Sequence, residues 1–163
     1  MDKHITRSVD ETRELAGEFV AQLCPGDIIC LEGELGSGKT AFAQGMLAAL
    51  GAEGPYTSPT FSIIKKYPLE KKTGRGIDSV HHIDAYRIAS KDLLELGWRD
   101  IINDIGTVVI IEWPECVAEI IPPNAKHVTF AWESDRERAV TLPDTPQTCT
   151  APTSADPEQS PFL

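Results

Sequence analysis

Apolar residues at Val9, Leu15, Phe19, Val20 and Leu23 recur with a helical period. They follow an S-x-x-E capping box from Ser8 to Glu11 and predict an amphipathic helix over 9–23. Pro25 and Gly26 stop it. Ile28 to Glu32 (IICLE) is a short unbroken apolar run, the pattern of a strand buried on both faces of a parallel sheet. A glycine-rich turn follows, then helical spacing from Thr40 to Leu50, ended by Gly51. Thr60 to Tyr67 and Ser79 to Ile83 read as strands, and Ser90 to Leu96 as a short helix capped by Ser90. Thr107 to Trp113 (TVVIIEW) is the strongest buried strand. Lys126 to Trp132 and Arg138 to Leu142 lie close enough in sequence to form a hairpin.

Strands alternating with helices predict one α/β domain over 1–142, with a mainly parallel sheet flanked by helices and a late antiparallel hairpin. No internal repeat is visible. From Pro143 to Leu163 the apolar period disappears, proline is frequent and no Lys or Arg occurs, so a disordered tail is expected there.

Composition narrows the picture. A chain of 163 residues suits one domain, and a 41% apolar fraction is ordinary for a soluble protein. No apolar run approaches the roughly 18 residues of a membrane span, and the N-terminus has no apolar signal core. Cys24, Cys30, Cys116 and Cys149 are scattered without a CxxC pair, which predicts reduced thiols and a cytoplasmic location. The net charge of −10 repels phosphate backbones at long range. Direct tight binding to nucleic acid is disfavoured, although one local site can still hold a nucleotide.

That site is legible. Gly33-Glu34-Leu35-Gly36-Ser37-Gly38-Lys39-Thr40 matches G-x-x-x-x-G-K-[ST], between an apolar strand and a helix. The glycines let backbone N–H groups converge on phosphates, and the helix aims its positive end at the same anion. The pattern predicts contacts from Gly36, Ser37, Gly38, Lys39, Thr40 and Ala41. Lys39 reaches the β- and γ-phosphates, and the Thr40 hydroxyl is placed for Mg²⁺. The arrangement marks a P-loop NTPase-type fold.

A phosphate-loop hydrolase also needs an acid on a neighbouring strand. Glu112 and Asp84 both end strands, where ligands of open α/β sheets sit. Thr60, after Ser58-Pro59, stands either near the γ-phosphate or merely in a turn entering a strand. His81 and His82 are adjacent on a strand, point to opposite faces and cannot share a metal. Lys65, Lys66, Lys71, Lys72 and Arg75 crowd one hairpin tip, which is either solvated or a contact to RNA or an acidic partner. Trp98 and Trp132 suit core or edge packing.

GELGSGKT, SPTF, HHIDAYR and IIEWPE occur in this order, and together they resemble the TsaE (YjeE) family of small bacterial P-loop ATPases over roughly residues 5–142. The resemblance implies a role in making N6-threonylcarbamoyladenosine next to the tRNA anticodon. It implies ATP and Mg²⁺ as cofactors, and partnership with a TsaB–TsaD transferase assembly through which tRNA is met indirectly, after TsaC makes the activated intermediate. By motif it makes Thr40 and Glu112 the Mg²⁺ ligands, Lys39 the phosphate-binding lysine, Asp84 the acid that orients the attacking water and Thr60 the switch threonine. It puts Trp113 beside Glu112 in the site. It also implies nucleotide contacts near Val9 and in the loop between the last two strands, where Arg136 is the candidate. The Lys-rich stretch around 69–79 and the tail depart from the family pattern.

Two other functions share the phosphate loop. A small-molecule kinase would need an acceptor site and an arginine-bearing lid, and Arg87 is the one arginine near a motif. A nucleotide-gated adaptor would need ATP binding without turnover. A GTPase is disfavoured, because neither NKxD nor DxxG occurs.

Overall fold

A computed structural model describes residues 1–70 and 75–144. Its seven strands are β1 (Asp2–Thr6), β2 (Ile28–Gly33), β3 (Ile64–Pro68), β4 (Ser79–Asp84), β5 (Thr107–Glu112), β6 (Lys126–Trp132) and β7 (Arg138–Leu142). They form one sheet in the order β1-β7-β6-β2-β5-β4-β3. The central strands β6, β2, β5 and β4 are parallel to their neighbours within that group. Antiparallel pairs close both sides: β3 with β4, β6 with β7, and β1 with β7. The expected mixed α/β architecture and the late hairpin are both present.

The continuous apolar runs follow from burial on two faces. In β5, Val108 and Ile110 enter one core and Val109 and Ile111 the other. In β2, Ile29 and Leu31 face the first core while Ile28 and Cys30 face the second. Helices α1 (Val9–Val20) and α2 (Lys39–Ala49) pack on the first face through Phe19, Phe42 and Met46. The short helices α3 (Ser90–Glu95) and α4 (Trp98–Asn103) cover the second through Leu93 and Trp98. A kinked 3-10 segment, Pro114–Ile120, joins them through Val117.

Several local expectations change. The helix expected over 9–23 ends at Val20, and Arg75 donates to the carbonyls of Val20 and Ala21 there. One cation of the basic cluster thus serves a helix C-terminus; Lys71 and Lys72 lie outside the described residues. The strand expected from Thr60 begins only at Ile64. Pro59 instead nucleates a turn, its carbonyl accepting from the N–H groups of Ser62 and Ile63. Ala89, not Ser90, precedes α3, and the Asp92 carboxylate accepts from the Ala89 N–H. Trp113 leaves the strand with φ 60°. β1, α4 and the 3-10 segment lacked a clear period and were not anticipated. Cys30 and Cys116 are free thiols, but Cys24 is disulfide-bonded, against the expectation of reduced cysteines. The tail expected from Pro143 lies outside the described residues from position 145 onward. Among the described residues no helix is long and apolar enough to cross a membrane.

Candidate functional site

The loop between β2 and α2 is shaped by its glycines. Gly33 has φ 154°, and a Cβ there would stand 2.6 Å from the Phe130 carbonyl oxygen and 2.8 Å from Ser37 Oγ. Only glycine lets the chain leave β2 this close to β6. Gly38, in the left-handed region, opens α2. The N-terminus of α2 therefore faces the cleft with Lys39 and Thr40 in its first turn.

Lys39 is 4% exposed. Its ammonium donates to the carbonyls of Gly33 and Glu34 and lies 3.9 Å from the centroid of the Trp113 ring. Burial pushes its pKa down, while Glu112, Glu115 and Asp84 push it up; the net direction is down. Tyr86 packs on the other partner of this stack, its ring centroid 4.8 Å from that of Trp113.

Parallel register brings the two acids together. Asp84 and Glu112 are paired positions at the ends of β4 and β5. Glu112 is buried, and its Oε2 accepts from Thr40 Oγ1 at 2.9 Å, across 72 residues of chain. The Asp84 carboxylate accepts from Thr60 Oγ1 at 2.9 Å and from the Tyr86 N–H at 3.0 Å. Thr60 also bonds Ser58 Oγ at 2.6 Å. Thr60 thus touches the second acid, which the turn-only alternative did not require.

These groups line one cleft of about 460 Å³, together with Gly36, Gly38 and Arg87. A second cavity of about 320 Å³ adjoins it, sharing Gly36, Gly38 and Ala41. Val9 and Arg136 both line this second cavity, with Thr12 and Arg138. Arg138 stacks on Trp132, 3.4 Å from its ring centroid, and Trp132 in turn flanks Gly36. Trp132 is thus an edge residue beside the loop, whereas Trp98 is core.

The donor chemistry suits magnesium. Mg²⁺ takes oxygen ligands and is usually held by one or two protein groups, with phosphates and water completing the shell. A hydroxyl and a buried carboxylate already in contact beside a phosphate loop match that demand. Among the described residues no group of three or more His, Cys, Asp and Glu is arranged to hold a metal by itself.

Sequence reasoning weighed His82 only as a metal ligand shared with His81 and did not foresee its tie to Glu112. Its Nε2 lies 2.8 Å from Glu112 Oε1, with both side chains buried. The available signal was the two-residue spacing from Asp84, which puts both side chains on the face that carries Glu112. His81 points the other way, as its position required.

Residues 6–140 match the family model described as "Threonylcarbamoyl adenosine biosynthesis protein TsaE". A Mycobacterium tuberculosis protein named tRNA threonylcarbamoyladenosine biosynthesis protein TsaE is 40% identical over 116 residues, covering 68% of this chain and 67% of that one. Its Bacillus subtilis counterpart is 33% identical over 137 residues, covering 84% and 82%. The crystal structure of Bacillus subtilis YdiB superposes with a TM-score of 0.70 at 30% identity, covering 86% of this chain and 83% of that one. The chain therefore belongs to the TsaE family, whose role is in tRNA threonylcarbamoyladenosine biosynthesis.

Proposed function

We propose that this chain is a Mg²⁺-dependent ATPase that serves threonylcarbamoyladenosine formation on tRNA together with a TsaB–TsaD-like transferase pair. The observation that carries it is the Thr40–Glu112 hydrogen bond at the head of α2, with Asp84 and Thr60 beside it. In this reading Lys39 leaves the Gly33 and Glu34 carbonyls to bind the β- and γ-phosphates. Thr40 and Glu112 hold Mg²⁺, which when bound neutralises charge on the phosphates. Asp84 is a carboxylate acceptor at the cleft and orients the attacking water. Thr60, bonded to that acid, can exchange this bond for the γ-phosphate. Trp113 and Tyr86 wall the cleft beside Lys39. Val9, Arg136 and Arg138 line the cavity next to Gly36 that would take the nucleoside. The net charge of −10 supports a division of labour in which partner proteins make most tRNA contacts.

ATP turnover by the chain, with and without the transferase pair and tRNA, tests the reading. Calorimetric titration with Mg²⁺ and an ATP analogue accompanies it. Asp84→Asn is expected to keep binding while turnover falls about 100-fold or more. Glu112→Ala is expected to lose the Mg²⁺ dependence of binding. Undiminished turnover in both variants would end the roles given to Asp84 and Glu112, and no turnover by the wild-type chain in any of these mixtures would end the ATPase reading.

A further inference from the structure

We propose that His82 is a positioning residue for the magnesium carboxylate: its Nε2–H holds Glu112 Oε1 so that Oε2 stays turned toward Thr40. This rests on the magnesium reading above and deepens it. Glu112 is 3% exposed and His82 is 1% exposed, so the bond between them does not compete with bulk water. The Glu112 carboxylate is gripped from two sides, by His82 at 2.8 Å and by Thr40 at 2.9 Å. A carboxylate oxygen can only accept, so Nε2 carries the hydrogen.

Packing alone does not explain an imidazole here. His82 Nδ1 is buried and has no hydrogen-bond partner among the described residues. An apolar side chain of similar shape would fill the space without burying an unpaired polar atom. His82 does not line the cleft, so it acts on the site through Glu112 and not on a ligand directly. It sits on β4 two residues before Asp84, and the β4–β5 register that pairs Asp84 with Glu112 also sets His82 against Ile110. One strand thus presents one acid to the cleft and, one step back, steadies the other. Outer-shell donors of this kind commonly change metal affinity 10- to 100-fold.

Manganese binding in the presence of a non-hydrolysable ATP analogue, read by electron paramagnetic resonance on the full chain, is the test. His82→Leu is expected to weaken Mn²⁺ about tenfold or more. His82→Gln, whose amide nitrogen takes the place of Nε2, is expected to restore near-wild-type affinity. Analogue affinity in EDTA is expected to be unchanged in both, which a general loosening of the fold would not leave intact. If the leucine variant does not fold, His82→Asn replaces it; its amide stops short of Glu112 and should weaken Mn²⁺ as leucine would. Wild-type Mn²⁺ affinity in the leucine or asparagine variant, or a glutamine variant as weak as they are, overturns the proposal. Should Glu112→Ala lose Mn²⁺ while His82→Leu keeps it, the magnesium reading survives and only the role of His82 falls. A wild-type chain that binds no Mn²⁺ with the analogue removes both.

Discussion

Thr60 illustrates how much one hydroxyl can carry. It donates to a carboxylate that is 8% exposed, and hydrogen bonds to charged groups contribute roughly 1.5–3 kcal/mol. Thr60→Val keeps the shape and removes the donor, while the Tyr86 N–H still donates to Asp84. We expect a loss of about 1–2 kcal/mol in urea unfolding without any nucleotide, and little change for Thr60→Ser. Equal stability of the valine and serine variants would show that Thr60 does not support Asp84 in the free chain. The threonine was visible in the sequence as a candidate, but its contact was not. Proline chemistry predicts a turn at 59, and only the folded loop shows that this turn brings residue 60 to an acid on β4.

At the scale of elements, the α1–α2 contact governs the site, since α1 begins at Val9 and α2 at Lys39. Two glycines in this interface have opposite requirements. A Cβ at Gly45 would lie 2.6 Å from the Arg13 carbonyl oxygen, a backbone atom that cannot move alone. A Cβ at Gly17 would meet the Ala49 Cβ at 3.7 Å, an ordinary contact. Gly45→Ala is therefore expected to push the helices apart and destabilise by roughly 1–3 kcal/mol, less a small gain in helix propensity. Gly17→Ala should be neutral or stabilising by about 0.5–1 kcal/mol. Thermal unfolding of the two variants distinguishes them, and a stable Gly45→Ala would contradict the close approach. Both helices were legible from their periods to within a few residues, because each has an apolar face. β1 and α4 were not: β1 exposes most of its residues, and α4 buries Trp98 fully while leaving Arg99 and Asp100 exposed. Their structure comes from partners, β7 for the one and the second core for the other.

For the whole molecule, one contribution to acid response comes from a buried histidine on β4. Burial pushes His81 below its ordinary 6.5, Lys66 pushes it further down and Asp104 opposes them. The unfolded chain therefore takes up a proton at His81 before the folded one does. Between 6.5 and the lower folded value, the unfolded state binds more protons, so stability rises with pH and falls on acidification. His81→Gln should flatten the pH dependence of the melting temperature just below 6.5, and an unchanged slope would show that His81 contributes nothing to it.

What the amino-acid order determined by itself was local. The phosphate loop, the buried strands β2 and β5 and the identity of the two acids are all written in short stretches, because backbone preference, burial period and phosphate chemistry act over a few neighbouring residues. Tertiary structure decided the rest. That Thr40 meets Glu112 across 72 residues, that Asp84 stands beside it, and that His82 reaches back to the same carboxylate all depend on strand order and register. Those are set by how two apolar sheet faces are covered at once, a condition that no segment satisfies alone.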